Sequence, residues 1–227
     1  MGMNFGKIIV LNSDTKKSSL EILNSIVPST LNKANGYIDT RIDGNIAFSK
    51  FKNGIIEIAN SDIAESIFRN HDSDIIVKLY ENLNHPKTIL ILQYYDFNNT
   101  FGYIVIENGV VIRKRRSSAG TLLENFGDIL ECETLLKDST KIQAIYNEEL
   151  GELEELNDDN EEFDEEEIEN AYQLKGGEIL SESDLSLRLL DSIMINYLGE
   201  NSWDWMPEIE INESFTFKDD LIALLNL

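Results

Sequence analysis

TILILQYYDFNNTFGYIVIENGVVIRKRR, residues Thr88–Arg116, is the stretch on which the fold turns. Its first part, Thr88–Tyr95, holds Ile89-Leu90-Ile91-Leu92 without a charged interruption, which predicts a strand buried on both faces. Phe101–Ile106, Asn108-Gly109 and Val110–Arg116 then spell a β-hairpin, because Asn-Gly accepts the positive φ angles of a type I′ turn. With Asn108-Gly109 as a two-residue loop, Ile106 is set opposite Val111 and Val105 opposite Ile112. Both faces of the pair are apolar near the turn, so it belongs inside a sheet. Farther out the second strand becomes Arg113-Lys114-Arg115-Arg116 and is expected to reach solvent.

On the N-terminal side, Lys7–Leu11 reads as a strand, followed by a polar break at Asn12-Ser13-Asp14. A helix is predicted over Ser19–Val27, with Leu23, Ile26 and Val27 on one face and Pro28 ending it. Asn45–Ser49 and Gly54–Ala59 read as strands split by the turn Lys52-Asn53-Gly54. Ser61 or Asp62 is placed to cap a short helix running through Phe68. Ile76, Leu79, Tyr80 and Leu83 keep a helical period over Asp74–Asn84.

On the C-terminal side, the loop Ser117–Gly120 precedes a helix predicted to start at Ser139 or Thr140. Ile142, Tyr146, Leu150 and Leu153 carry its period into an acidic run. Beyond Asn157 apolar residues thin to Phe163 and Ile168, and residues 148–170 read as a flexible acidic insertion in a single domain spanning 1–227. Ser181 and Asp184 have capping-box-like spacing, Leu187, Leu190, Ile193, Met194 and Tyr197 form a core stripe, and Gly199 supplies a stop. Ile209–Leu227 offers two strand-like patches and an amphipathic tail. Helices interspersed with hairpin-connected strands give an α+β class: a two-layer sandwich of one largely antiparallel sheet with helices packed on it.

Charge is distributed unevenly. Residues 1–144 carry 17 acidic and 16 basic side chains, whereas residues 145–227 carry 25 acidic and 3 basic. Fourteen carboxylates fall in EELGELEELNDDNEEFDEEEIE, Glu148–Glu169. Such local acidity disfavours nucleic acid and anionic lipid as partners and favours a basic protein. A single cysteine, Cys132, cannot form an internal disulfide and fits a reducing, cytoplasmic setting. The run Ile8-Ile9-Val10-Leu11 is too short for a signal-peptide core or a membrane span. Gly6 stands where a myristoylation motif wants Ser or Thr.

The hairpin region carries a resemblance. Residues 87–133 resemble the central block of a family of uncharacterised bacterial proteins, a domain of unknown function. In that family a strand leads into a hairpin with an Asp/Asn-Gly turn, an arginine on the outgoing strand, a Gly-rich loop and an Ile-Gly-Glu-Pro-Leu-like ending. The corresponding residues are Phe101, Gly102, Asn108, Gly109, Arg113, Gly120, Glu124, Gly127 and Glu133. The tryptophans of that pattern are absent near this hairpin, and Leu130-Glu131-Cys132 replaces its proline-containing segment. The resemblance implies a fold and no activity.

Chemistry-bearing constellations are sparse. His71 and His85 are the only histidines, too few with one thiol for a zinc centre. His71-Asp72-Ser73-Asp74 reads as a polar link with a helix cap, and Cys132 as a buried inert thiol. Asp158, Asn160 and Glu162 fall at positions 1, 3 and 5 of a calcium-loop pattern ending at Glu169, but Phe163 stands where the sharp turn requires glycine. No phosphate-cradling glycine loop or nucleophile elbow is present. No metal or cofactor is expected.

The candidate binding residues are therefore two sets. Arg113, Lys114, Arg115 and Arg116 alternate in direction along a strand, forming two pairs that grip an anion, keep an edge soluble or receive the folded-back acidic run. Glu161, Glu162, Asp164, Glu165, Glu166 and Glu167, with Trp203 and Trp205, make the second set. The sequence reads as a non-catalytic intracellular protein-binding module, most sharply an immunity- or antitoxin-type inhibitor of a basic partner. One alternative is a carboxylate- or metal-dependent hydrolase using Asp14, Asp62, Asp72 and Asp74. Another is a DNA-mimic inhibitor.

Overall fold

The structure is a computed structural model that describes residues 4–27, 29–36, 38–70, 74–147, 152–156, 168–200 and 208–217. Its first strand, β1 (Asn4–Leu11), is apolar on both sides: Ile8 and Val10 project one way, Ile9 and Leu11 the other. Such a strand is stable only at the middle of a covered sheet, and β1 is the central strand of nine. The others are β2 (Asn32–Ala34), β3 (Asn45–Phe51), β4 (Ile56–Ala59), β5 (Thr88–Tyr95), β6 (Thr100–Glu107), β7 (Val110–Ser118), β8 (Thr121–Phe126) and a late strand, β13 (Ile209–Thr216). They pair antiparallel in the order β2-β13-β3-β4-β1-β5-β6-β7-β8. A second, four-stranded antiparallel sheet is built from β9 (Ser139–Asn147), β10 (Glu152–Glu155), β11 (Ile168–Leu174) and β12 (Ile179–Ser181), in the order β10-β9-β11-β12.

The α+β class holds, and helices cover the large sheet on both faces. On one face α1 (Ser19–Ile26), α2 (Ser61–Arg69) and α3 (Asp74–Asn82) pack Leu23, Ile67 and Leu79 against Ile8, Ile58, Ile89, Ile91 and Ile104. On the other, α5 (Glu182–Leu198) sets Leu185, Leu189, Ile193 and Met194 against Ile9, Leu90, Leu92, Tyr103 and Val105. Tyr172 and Leu180 of the small sheet join that second core. Burial on both faces is why Ile89–Leu92 carries no polar alternation.

Local signals behave as their chemistry requires. Ser18 and Glu21 close a reciprocal capping box on α1, and Ser181 accepts from the backbone N–H of Asp184 at the start of α5. Gly199 ends α5 in the left-handed region. The cap of α2 is Asn60, one residue ahead of the expected Ser61 or Asp62, its side chain accepting from Ile63 N at 2.7 Å.

Three expectations are corrected. Ile106 does face Val111, but Val105 pairs with Arg113, because Ile112 is an extra residue forming a β-bulge. The helix expected from Ser139 through Leu153 is instead β9 and β10. Ser139–Asn147 bonds to a strand on each side, and the β-branched Thr140, Ile142 and Ile145 suit that pairing better than a helix. The loop Ser117–Gly120 is shorter than expected: Ala119-Gly120 is a tight turn, and Thr121–Phe126 returns as β8. Strand β10 and the start of β11 fall within residues 148–170; residues 157–167 lie outside the described residues.

Candidate functional site

The first three residues of the basic tetrad do not reach solvent. Strand β7 lies between β6 and β8, and Arg113, Lys114 and Arg115 are buried while Arg116 is half-buried. Charges this deep persist only when paired, and a carboxylate from a different element meets each one. Arg113 pairs with Glu133, the residue before α4 (Thr134–Lys137), and Arg115 pairs with Glu182 at the first position of α5. Lys114 pairs with Glu124 of β8 at 3.0 Å and donates to the backbone carbonyl of Phe68. Arg116 pairs with Glu65 of α2 at 2.8 Å, its guanidinium over the Phe68 ring.

The bulge decides these partners. A regular hairpin would place Arg113 opposite Ile104 and turn it toward α2. With Ile112 extra, Arg113 and Arg115 share the face of Val105 and Tyr103, beneath α5. Glu133 there accepts from Arg113 Nε at 2.9 and 3.0 Å, Arg113 Nη2 at 2.9 Å, the Leu130 backbone N–H at 2.6 Å and the Tyr103 hydroxyl. Burial is the largest influence on Arg113 and opposes its charge, but the hydrogen bonds and charges of Glu133 and Tyr103 together outweigh it and raise its pKa. Burial, with Glu133 beside it, holds the Tyr103 hydroxyl well above the usual tyrosine range. Glu182 accepts from Arg115, Tyr172 and Ser186, each at 2.7 Å, and its charge sits at the favourable end of the α5 dipole. Among the described residues Arg115 Nε and Nη1 find no acceptor, so Arg113–Glu133 is the better satisfied pair. The tetrad ties β7 to its surroundings; it is not an open anion site.

What the fold leaves open is a cleft of about 920 Å³ between the two sheets and the first turns of α5. Tyr94, Asp96 and Phe101, at the ends of β5 and β6, line one side; Tyr146, Glu152, Leu153 and Glu169 of the small sheet line another. Glu178, Asp184 and Arg188 complete it. Five of these residues are carboxylates, and the single cation, Arg188, is held by Glu178 at 2.7 Å. Asp184 accepts from the Ser181 hydroxyl at the α5 cap. Among the described residues, Asp96, Glu152 and Glu169 have no cation partner. Burial, and then the nearby charge of Asp184, raises the Glu169 pKa above the ordinary carboxylate value. Tyr146 is 60% exposed.

The sequence-predicted acidic and aromatic candidates, Glu161, Glu162, Asp164, Glu165, Glu166, Glu167, Trp203 and Trp205, lie outside the described residues, as do His71 and Asp72. Asp62 and Asp74 sit in the first turns of α2 and α3, Asp14 accepts from Asn84, and none of the three lines the cleft. Among the described residues no three His, Cys, Asp or Glu side chains gather as a metal site. Cys132 is half-buried, in the turn leading to Glu133, and burial followed by Glu133 pushes its thiol pKa up. No described helix is long and apolar enough to cross a membrane. Sequence reasoning missed Tyr146, Glu152 and Glu169 as cleft residues because it put the first two on a helix and the third in a loop. The alternation Ile142-Ala144-Tyr146 is the signal that points to a strand wall. No protein-family model, curated protein or solved structure matches the chain.

Proposed function

We propose that this chain is a non-catalytic protein-binding module whose acidic cleft receives a basic segment of a partner protein, an immunity- or antitoxin-type inhibitor of an intracellular partner being its sharpest form. The observation that carries the reading is the cleft lining: three carboxylates without a cation partner among the described residues, beside exposed aromatic surface. The acidic run in residues 157–167 connects two strands of the wall, β10 and β11, so its charge is tethered to that wall and can steer a cationic partner toward it.

Removing all of Glu148–Glu169 would also remove β10, so the test must be narrower. Replacing the acidic residues of 157–167 by Asn and Gln is expected to leave the circular dichroism spectrum unchanged, slow association with a basic partner protein and flatten the salt dependence of that rate. Association rates and salt slopes identical to those of the native chain would end the proposal.

A further inference from the structure

The cleft wall specifies more than a net charge. In the small sheet Glu169 is registered opposite Ala144, and Tyr146 is two residues along the same strand, so Glu169 and Tyr146 are diagonal neighbours, roughly 7–8 Å apart, on one face. Leu153 is registered directly opposite Tyr146 across the β9–β10 pair. Asp184, in the first turn of α5, lines the same cleft and adds a second negative charge that acts on Glu169. A carboxylate pair next to an exposed aromatic face is the arrangement that a planar, bidentate cation satisfies: hydrogen bonds to oxygen at its edge, and stacking on the ring at its face. A lysine ammonium would gain the charge attraction but not the planar fit.

We propose that the cleft is an arginine-recognition site, in which a guanidinium from the partner's basic segment engages Glu169 and Asp184 with its face on Tyr146. This rests on the binding-module reading and narrows it to one side-chain chemistry. The placement of Glu169 supports it. A partly buried carboxylate with no cation partner among the described residues, facing a like charge, works against the folded state, and an arriving guanidinium removes that penalty.

The probes are fluorescein-labelled octapeptides of arginine, lysine and citrulline, titrated by anisotropy against the full chain. The arginine peptide is expected to bind at least tenfold more tightly than the lysine peptide, and the citrulline peptide not to bind. Glu169→Gln should cost the arginine peptide about tenfold, with a thermal midpoint equal to or above that of the native chain. Tyr146→Ala should cost roughly two- to fivefold and Tyr146→Phe nothing. Glu131→Gln removes one charge outside the cleft and should change little, which separates recognition from attraction to a chain of net charge −23. Equal binding of arginine and lysine peptides, or equal losses for Glu169→Gln and Glu131→Gln, overturns arginine recognition while leaving a basic-partner module standing. Failure of both cationic peptides to bind the native chain overturns arginine recognition as well; the broader reading is then judged by the salt dependence of partner association.

Discussion

Glu133 shows how one residue can look ordinary in sequence and be indispensable in the fold. It is fully buried, charged, and satisfied by two groups besides the Arg113 guanidinium edge, the Tyr103 hydroxyl and the Leu130 N–H. Replacing it by glutamine keeps the shape but leaves Arg113, itself 0% exposed, as an uncompensated buried charge. Glu133→Gln is expected to destabilise the chain by about 3–5 kcal/mol in urea denaturation. Arg113→Met combined with Glu133→Leu should cost less than either single change, because the pair is removed together with its desolvation penalty. A strictly additive double variant would show that the two residues do not act as a unit. Nothing in the local sequence around Glu133 reveals this role, since its partner lies twenty residues away on a strand.

At the scale of elements, β7 and β8 depend on one glycine. Gly127 has φ +81°, and a Cβ there would lie 2.0 Å from the carbonyl oxygen of Ile112, the bulged residue. The backbone carbonyls of Phe126 and Gly127 also accept from Arg113 Nη1, so the turn, the bulge and the buried cation are one construction. Gly127→Ala is expected to cost about 2–4 kcal/mol from the left-handed backbone and the clash. In that variant amide exchange should quicken more in β7 and β8 than in β1 and β5. Native-like stability in that variant would mean that the bulge is not needed to hold Arg113 in place. Elements governed by local chemistry were legible in the sequence: the Asn108-Gly109 turn, the full length of β5, and α5 between Ser181 and Gly199. Strands β8, β9 and β10 were not: β9 keeps a spacing that also suits a helix, β8 follows a turn that reads as a loop, and β10 has one apolar residue among glutamates.

At the scale of the whole molecule, α5 and the small sheet close over polar groups as well as apolar ones, and this sets a pH limit. Burial, then hydrogen bonding to Glu182, pushes Tyr172 up to about 12; burial and Glu107 do the same for Tyr197. Tyr103 is raised too. Unfolded tyrosines ionise near 10. Above that pH the unfolded chain releases protons that the folded one keeps, so stability falls as pH rises from about 10 toward the folded values. Urea midpoints are expected to hold from pH 8 to about 10 and then decline, with Tyr172→Phe lessening the slope. A midpoint constant to pH 11.5 would contradict the buried, hydrogen-bonded placement of these hydroxyls.

The sequence by itself determined the class of the fold, its central strands and the unequal distribution of charge, because turn chemistry, apolar runs and composition are local properties. Only the tertiary structure decided where the basic tetrad is placed and that strands of the acidic third, β10 and β11, wall a cleft. A single bulged residue chooses the face of each arginine, and burial then requires a carboxylate from a distant element to meet it. The cleft exists because β10, β9 and β11 stand across from the ends of β5 and β6, a juxtaposition that depends on long-range pairing and leaves no trace in any one segment.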